Sequence, residues 1–322
     1  MILAGDVGGT KTLLGLFEPQ ATRPAPALTR SYTTTEYASL SEMIGAFMSE
    51  ARVQPQTIRT AAFGVAGPVL GSRASLTNVP FTIDADDVAD RFGVPRVSLL
   101  NDLEAMAYAV PVLTGDELRP LQAGTPVAGG NMGLLAAGTG LGAAILHNVN
   151  GRFIPSPTEA GHTDWAARTE RDVAVLALLV RRYGRAEVED VVAGRGLPNL
   201  HRATHADGCA AGIDPDAADA PAALTTAALE GRCARCAEAL EIFVDAYGAV
   251  AGNIALLSMA TAGLFIGGGI APKILPALTD GRFLRAFLDK GAMRGLVERM
   301  PVHIILNADA GLLGAAVRAA DT

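Results

Sequence analysis

The sequence predicts an α/β protein with two related lobes, and its glycine-rich turns are the main reason. Three such turns each follow an apolar run: GDVGGTKT at 5–12, GTGLG at 138–142 and GGG at 267–269. The first two stand between apolar strands and lie about 130 residues apart, a spacing that favours duplicated lobes over a short-period solenoid. The other apolar segments alternate between strand-like and helix-like patterns.

The composition of the chain indicates a folded protein with large cores. Of its 322 residues, 50% are hydrophobic and 18% are charged, which is enough for two lobes. The net charge of −7 argues against a nucleic-acid-binding protein, which would present a basic face. The apolar start predicts no signal peptide, and three cysteines are too few for a disulfide framework, so we expect a cytoplasmic protein.

Apolar periodicity defines the elements of the first lobe. Residues 1–18 are expected to form strand, turn and strand, because the run after the turn is too short and glycine-broken for a helix. Helices are expected at 40–51 and at 83–92, where early aspartates suit the helix dipole. The remaining expected elements are strands at 60–69 and 96–100 and a helix at 103–109.

The second lobe repeats the opening pattern, with strands on both sides of its turn across 131–148. Residues 246–272 carry no charge and are long enough to span a bilayer, but their glycines favour a buried helix followed by a buried strand. Residues 206–223 predict an exposed loop. The other expected elements are helices at 171–183, 229–257 and 311–319 and strands at 264–266 and 301–306.

Backbone amides in the first turn are candidates for phosphate binding. Glycines let N–H groups approach an anion, and clustered N–H groups form anion-binding concavities. The turn is not a Walker A loop, because Thr10 precedes Lys11, and it is not a dinucleotide fingerprint, because a strand follows it. Asp6 at the strand end is a candidate for holding hydrated Mg²⁺. The alternative is an ordinary glycine hairpin.

The other two turns offer similar groups. Thr139 presents a hydroxyl between Gly138 and Gly140, and the alternative there is a tight β-turn. The third turn, which Pro272 follows, can place phosphate or adenosine against a helix N-terminus. Close packing between sheet and helix is the alternative for that turn. Together the three turns favour a nucleotide phosphate site.

Polar residues outside the turns suggest chemistry on a hydroxylated substrate. Asp102, after a predicted strand, can accept a proton from an attacking hydroxyl while Asn101 hydrogen-bonds the same substrate. A helix N-cap is the alternative for this pair. Glu159, His162 and Glu189 suit a polyhydroxyl ligand, because carboxylates and imidazoles bond sugar hydroxyls. A metal pair is the alternative for them.

The cysteines are interpreted as structural thiols. Cys233-x-x-Cys236 falls inside a predicted helix, and no second C-x-x-C accompanies it. Cys209 lies apart in the predicted loop. A metal or redox site is the alternative interpretation.

Taken together, these motifs resemble those of the bacterial glucokinases of the hexokinase/actin-like superfamily, in the branch without the zinc-binding cysteine motif. The resemblance covers nearly the whole chain. The matching motifs are GDVGGT (5–10), TN (77–78), ND (101–102), AGTGLG (137–142), ExGH (159–162), GxGL (194–197), GGGIxP (267–272) and GLLG (311–314). The resemblance implies an α/β, two-lobed actin-like (ribonuclease H-like) ATPase fold. Its cleft would lie between a small lobe, 1–110 plus 301–322, and a large lobe, 111–300.

The resemblance also implies an ATP-dependent hexose kinase that phosphorylates glucose at its 6-hydroxyl to glucose 6-phosphate, the first step of glycolysis. Mg²⁺ would accompany ATP, and the enzyme would be a cytoplasmic homodimer without nucleic-acid or membrane partners. Asp102 would be the general base. The implied sugar contacts are Asn78, Asn101, Asp102, Glu159, His162 and Glu189. The implied nucleotide contacts are Gly5, Asp6, Val7, Gly8, Gly9, Thr10, Lys11, Gly138, Thr139, Gly268 and Gly269.

Two departures from the family pattern keep the sugar preference open. Phe81 stands where Trp is common, and Ala160 replaces a frequent Gly. A kinase for another hexose, such as mannose or an amino sugar, is the alternative. A sugar-sensing repressor is disfavoured because the chain is acidic, and an actin-like ATPase would not need the Asn-Asp pair.

Overall fold

A computed structural model describes residues 1–76, 81–205 and 208–321. These residues form two compact units: Met1–Thr114 together with the segment from Asn307 onward, and Gly115–Leu306. The predicted lobe boundaries assigned residues 301–306 to the first lobe. The last strand pairs within the sheet of the second unit, so residues 302–305 belong there.

The secondary structure follows the predicted alternation of strands and helices. The strands are β1 (Ile2–Val7), β2 (Lys11–Glu18), β3 (Ala25–Thr33), β4 (Thr60–Val65), β5 (Val69–Leu70), β6 (Arg73–Ser75), β7 (Thr82–Asp84), β8 (Val97–Asn101), β9 (Leu118–Gln122), β10 (Met132–Ala137), β11 (Leu141–Val149), β12 (Arg152–Thr158), β13 (Gly263–Gly267) and β14 (Val302–Ile305). The helices are α1 (Leu40–Ala51), α2 (Ala85–Phe92), α3 (Asp102–Ala109), α4 (Glu170–Tyr183), α5 (Gly196–Thr204), α6 (Ala220–Leu229), α7 (Ala234–Ser258), α8 (Leu275–Leu278), α9 (Arg282–Leu288), α10 (Arg294–Val297) and α11 (Ala310–Ala320).

The main sheet of the first unit has the strand order β3-β2-β1-β4-β8. Strands β1, β2 and β3 form an antiparallel meander, and β4 and β8 run parallel to β1. Side chains of β1 alternate between two cores, as the two-residue period of a strand requires. Leu3 and Val7 pack in the core that includes α1, whereas Ile2 and Ala4 pack against α11. Both faces of the sheet are therefore covered.

The close approach of α3 and α11 depends on glycine. A Cβ at Gly314 in α11 would lie 1.7 Å from the carbonyl oxygen of Ala105 in α3. A Cβ at Gly64 in β4 would lie 2.7 Å from the Ala105 side chain and 3.8 Å from the Cα of Asp102. Real Cβ atoms do not approach other atoms as closely as the first two distances, so these glycines let the start of α3 sit directly on the sheet.

The sheet of the second unit has the order β12-β11-β10-β13-β14-β9. Strands β10, β11 and β12 form an antiparallel meander, and β13 and β14 run parallel to β10. This is the arrangement of the first unit, with β9 added antiparallel at the edge. The predicted duplication of the strand–turn–strand pattern is confirmed at the level of sheet topology.

Helix α7 forms the centre of the second core. Phe243 and Tyr247 on this helix pack edge-to-face, and Tyr247 contacts Phe283 in the same way. Among the described residues, α7 is the helix long and apolar enough to cross a membrane, but 72% of its most apolar window is buried in the protein. Such burial is typical of a core helix, and the uncharged stretch forms a buried helix and a buried strand as predicted.

Several expected boundaries differ from the structure. The helix expected at 83–92 begins at Ala85, because residues 82–84 form β7. The helix expected at 229–257 begins only at Ala234, because a turn at 230–233, which includes Gly231 at φ +69, separates α7 from the end of α6. Helix α6 begins at Ala220, inside the predicted loop. After the third glycine turn, α8 begins only at Leu275 and has four residues.

Candidate active site

The first glycine turn is fixed by hydrogen bonds to its own strand and to Thr34. The Gly8 N–H donates to the Lys11 carbonyl at 3.0 Å, and the Thr34 hydroxyl donates to the Gly8 carbonyl at 2.7 Å. A Cβ at Gly8 would lie 2.9 Å from the Lys11 carbonyl oxygen, so a side chain there would displace the turn. In the part of the chain that the structure describes, the amides of Gly9 and Thr10 donate to no protein acceptor. They are therefore available to an anion.

The other residues predicted around this turn differ in exposure. Gly5 and Val7 are buried in β1, and a Cβ at Gly5 would lie 2.5 Å from the Phe63 ring. Lys11, the first residue of β2, is exposed. Gly5 and Val7 therefore shape the strand end, whereas Lys11 presents a charge to solvent.

Asp6 lies half-buried at the end of β1, close to other carboxylates. Burial raises the pKa of its carboxyl to about 6, and the negative charges of Asp102 and Asp309 add to the increase, while Lys11 opposes it. A Cβ at Gly311 would lie 2.8 Å from the Asp6 Oδ2. The start of α11 therefore touches this carboxylate, and the sequence reasoning missed Asp309 because proximity to Asp6 is not visible in the linear order.

Asp102 is the first residue of α3 and its side chain is exposed. Its Oδ1 accepts a hydrogen bond from the Leu103 N–H at 2.9 Å. Desolvation by the crowded surroundings raises the pKa of the Asp102 carboxyl, and hydrogen bonds from backbone N–H groups oppose the increase. An accessible carboxylate with a raised pKa is suited to accept a proton.

Asn101 is the N-cap of α3, as the structural alternative predicted. Its Oδ1 accepts from the Leu103 N–H at 3.0 Å, and its Nδ2 donates to the Gly67 carbonyl at 3.3 Å. The cap orients the start of α3, and so it positions Asp102. The predicted contact between Asn101 and sugar stays a prediction.

The second and third turns lie side by side in the second unit. The Gly194 N–H donates to the Gly138 carbonyl at 2.8 Å, and the Ile270 N–H donates to the Ala137 carbonyl at 3.2 Å. Gly268 has φ +83, and a Cβ there would lie 2.2 Å from the Ala137 carbonyl oxygen, so glycine is required. Within the described ranges, the amides without a protein acceptor in these turns are those of Thr139, Gly140, Gly268 and Gly269.

Glu189 is buried next to the second turn. Its Oε2 accepts from the Leu141 N–H at 3.1 Å, and its Oε1 lies 2.8 Å from a guanidinium nitrogen of Arg195. A Cβ at Gly140 or Gly161 would lie 3.0 Å or 3.2 Å from the Glu189 Oε2. The absence of side chains at Gly140 and Gly161 therefore leaves room for the Glu189 carboxylate. This carboxylate lies between the second turn and the ExGH segment.

His162 contacts a second carboxylate that the sequence reasoning missed. Its Nδ1 lies 2.8 Å from the Glu187 Oε2 and 3.7 Å from the Glu189 Oε1. The hydrogen bond with Glu187 raises the pKa of His162, and the charge of Glu189 adds to the increase. Arg195 lies 3.4 Å from Glu187, so a cation already neutralises the carboxylates. This pairing argues against the metal alternative for the group.

Glu159 is exposed and immediately precedes the 3₁₀ turn that contains His162. The His162 N–H donates to the Glu159 carbonyl at 3.0 Å, which keeps the two side chains in one segment. The structure thus brings together Glu159, His162 and Glu189 in the second unit. Asn78, the remaining predicted sugar contact, lies outside the described residues.

Comparisons with known proteins identify the family. The family model described as "Glucokinase" matches residues 3–322. A glucokinase of Nostoc punctiforme is 36% identical over 340 residues, with 99% of each chain covered. A glucokinase of Mesorhizobium japonicum is 37% identical over 322 residues, covering 99% of this chain and 91% of that protein. The chain is an α/β protein of the sugar-kinase class.

More particularly, it belongs to the glucokinase family, and solved structures agree with its fold. A glucokinase from an Antarctic psychrotroph has a TM-score of 0.88 at 28% identity, covering 100% of this chain and 99% of that one. A ROK family glucokinase from Streptomyces griseus, in complex with glucose and AMPPNP, has a TM-score of 0.63 at 20% identity, covering 100% and 99%. The predicted fold class and family resemblance are confirmed.

Proposed function

We propose that this protein is a glucokinase that transfers the γ-phosphoryl group of ATP to the 6-hydroxyl of glucose. The proposal rests on family membership over the whole chain and on one observation above all. An exposed carboxylate, Asp102, is held at the start of a capped helix beside the first glycine turn. The products are glucose 6-phosphate and ADP.

Asp102 is the proposed general base. The glucose 6-hydroxyl attacks the γ-phosphorus in line, its proton passes to the Asp102 carboxylate, and the bond to the ADP oxygen breaks. The hydrogen bond from the Leu103 N–H fixes one carboxylate oxygen, which leaves the other oriented for the substrate. Exclusion of water from the reacting atoms would keep the phosphoryl group from hydrolysis.

The glycine turns are the proposed phosphate contacts. Unpaired amides in all three turns can donate to phosphate oxygens, and the Thr10 and Thr139 hydroxyls add donors. Lys11 adds an exposed positive charge to the first turn. Amides that are already oriented stabilise developing charge without reorganisation, which is the main source of acceleration in phosphoryl transfer.

The carboxylates of the first unit fit Mg²⁺. Burial is the main cause of the raised pKa of Asp6, and the charges of Asp102 and Asp309 add a repulsion that a divalent cation would relieve. We propose that Asp6 holds hydrated Mg²⁺, which would supply charge neutralisation for the nucleotide phosphates. The protein's own contribution is the position of the carboxylate, which the start of α11 fixes through Gly311.

Glu159, His162, Glu189 and Asn101 are the proposed sugar contacts, and Asn78 is proposed with them from the motif alone. Glu187 and Arg195 support this group, because they hold His162 and Glu189 in place. We also propose that the enzyme is a cytoplasmic homodimer without membrane or nucleic-acid partners, as the family resemblance implies.

A coupled assay tests the function directly. Purified protein is incubated with ATP, Mg²⁺ and a panel that includes glucose, mannose, glucosamine and fructose, and the phosphorylated carbon is located by NMR. We expect the highest kcat/KM with glucose and phosphorylation at carbon 6. Higher kcat/KM with another hexose would overturn the glucose assignment, and ATP hydrolysis without sugar phosphate would overturn the kinase.

A further inference from the structure

A cluster of soft metal ligands lies in the second unit apart from the candidate active site. One ligand atom from each of His201, His205, Cys209 and Cys236 lies within 4.8 Å of each of the others. The cluster joins three parts of the fold: the end of α5, the segment that follows residue 207, and the first turns of α7. We propose that these four residues form a tetrahedral site for a thiophilic divalent cation, and that the cation is Zn²⁺.

Two distances in the cluster match the edge lengths of a zinc tetrahedron. The Sγ atoms of Cys209 and Cys236 are 3.7 Å apart, and the Cys236 Sγ is 3.7 Å from the His205 Nε2. Bond lengths of about 2.3 Å to sulfur and about 2.0–2.1 Å to nitrogen put tetrahedral ligands roughly 3.3–3.8 Å apart. These two pairs of donors are therefore already at coordination spacing, and a ring nitrogen of His201 lies within 4.8 Å of each of the three donor atoms.

The tautomer of His205 is also the one that a metal ligand needs. Its Nδ1 lies 2.9 Å from the His201 carbonyl oxygen, which can only accept, so Nδ1 carries the proton. The lone pair of Nε2 then points toward the thiols. Metal-binding histidines commonly donate their other ring N–H to a backbone carbonyl in this way.

His201 supplies an independent observation. The residue is 4% exposed, and neither ring nitrogen has a hydrogen-bond partner among the described residues. A buried imidazole without a hydrogen-bond partner is costly, and a metal bond would satisfy one of its nitrogens.

The donor set selects the metal and its role. Two thiolates and two imidazoles with four protein ligands are typical of structural Zn²⁺, whereas Mg²⁺ and Ca²⁺ prefer oxygen donors. Four protein ligands leave no open position for a substrate. The cation would tie α5 to α7, and α5 begins directly after Arg195, which contacts Glu189. We therefore expect zinc to stabilise the fold and to keep the candidate sugar residues in place.

Cys233 lies beside the cluster, with its Sγ 3.5 Å from the His205 Nε2. It is the N-cap residue of α7 and is not part of the group whose atoms are all within 4.8 Å of one another. Cys233→Ser therefore distinguishes the proposed ligand set from one that uses all three cysteines.

The test measures metal content and coordination in the full-length protein. Protein purified without chelators from zinc-supplemented cells is analysed by mass spectrometry of its metals, and then reconstituted with Co²⁺ after removal of zinc. We expect about one Zn²⁺ per chain, and a Co²⁺ spectrum with intense tetrahedral d–d bands and thiolate charge-transfer bands. Absence of stoichiometric zinc after titration, or a disulfide between Cys209 and Cys236 in protein kept reduced, would overturn the proposal.

Variants identify the ligands. Cys236→Ser and His205→Gln should reduce zinc content at least tenfold, whereas Cys233→Ser and the exposed control His147→Gln should retain it. Loss of zinc in Cys233→Ser would contradict the ligand set. Since a ligand variant can fail to fold, the unmodified protein is also treated with a zinc-selective chelator in excess Mg²⁺. Its melting temperature should fall by several degrees and recover with zinc, and an unchanged melting temperature would contradict a structural role.

Discussion

The candidate carboxylates of the two units lie in different surroundings, and we infer different roles for them. Asp102 is exposed and held by a backbone N–H, Asp6 is half-buried among other carboxylates, and Glu189 is buried and paired with Arg195. A carboxylate that already has a cationic partner is a poor base, whereas an accessible one with a raised pKa is a good one. The environments therefore favour Asp102 as the proton acceptor.

Replacing Asp102 by Asn removes the base while it keeps the shape of the side chain. We expect kcat to fall about 10²–10⁴-fold, with little change in the KM for glucose, because general-base catalysis contributes about this factor. Steady-state kinetics with ATP and glucose measure the change, and circular dichroism checks the fold. A kcat close to that of the unmodified enzyme would rule out Asp102 as the base.

The raised pKa of Asp6 predicts how stability depends on pH. Because its pKa is about 6 in the folded protein and 3.8 in the unfolded reference, the folded state holds the proton more tightly, so stability falls as pH rises between these values. Asp6→Asn should therefore increase the free energy of unfolding by about 1–3 kcal/mol near pH 7.5 and change it little near pH 4. Urea unfolding without divalent cations measures this, and an equal effect at both pH values would contradict it.

Glu187→Gln tests the contact that holds His162. The hydrogen bond with Glu187 is the first cause of the raised pKa of His162, so the variant should lower that pKa, as NMR titration of the imidazole will show. A raised histidine pKa stabilises the fold below the unfolded pKa, and the benefit disappears as pH rises through the folded value. The loss of stability in the variant should therefore be larger near pH 5 than near pH 8.

Asp164→Asn is the matched control for this experiment. Asp164 is a carboxylate near His162 in the sequence, but it pairs with Arg185 at 2.8 Å. We expect it to leave the pKa of His162 nearly unchanged. Equal shifts in both variants would show that general surface charge, and not the Glu187 contact, sets the titration of His162.

At the scale of elements, the sequence pattern predicted the helices and strands whose formation depends on neighbouring residues in the chain. Helix α1 has the predicted limits. Its N-cap is Ser39, and its apolar face includes Met43, Ile44 and Phe47, so both features can be read from the sequence. Strands β3 and β12 were missed, since both are edge strands with exposed side chains and no apolar alternation. Such strands form because a neighbouring strand offers hydrogen bonds, and a linear sequence does not show that neighbour.

Contacts between residues that are distant in the sequence also explain which site residues were not predicted. The turns, Asp102 and the Glu159–His162 segment were predictable because each is a short local motif. Glu187 and Arg195 act through contacts with His162 and Glu189 that arise only in the fold. The His201–His205 spacing is a local feature that was overlooked, but its approach to Cys209 and Cys236 depends on how α5 packs on α7.

Because Gly314 lies where α11 contacts α3, we expect a single added methyl group there to lower the stability of the fold strongly. Gly314→Ala would place a Cβ 1.7 Å from the Ala105 carbonyl oxygen, so α11 must shift away from α3. We expect destabilisation by about 2–4 kcal/mol, measured by urea unfolding.

Gly45→Ala is its matched control in α1, where no atom outside the helix's own nearby backbone lies within 4 Å of the added methyl group. We expect this variant to be stabilised by about 0.5–1 kcal/mol, because alanine favours the helix. Similar effects of the two substitutions would show that the close approach at Gly314 is not rigid.

For the whole molecule, the duplicated topology explains why glycine turns occur at equivalent places in both units. Each unit has an antiparallel meander followed by parallel strands, and each places a glycine turn after the first strand of its meander. Asp6 and Asp102 lie in the first unit, whereas His162 and Glu189 lie in the second. The residues of the proposed mechanism therefore come from both copies of the topology.

A crystal structure with glucose and a non-hydrolysable ATP analogue tests the central claim most directly. The proposed mechanism predicts an Asp102 carboxylate oxygen within about 2.6–3.2 Å of the glucose 6-hydroxyl, with that hydroxyl in line with the γ-phosphorus and the turn amides on the phosphates. An Asp102 side chain directed away from the hydroxyl, with another group in hydrogen-bond contact with it, would contradict the proposed mechanism.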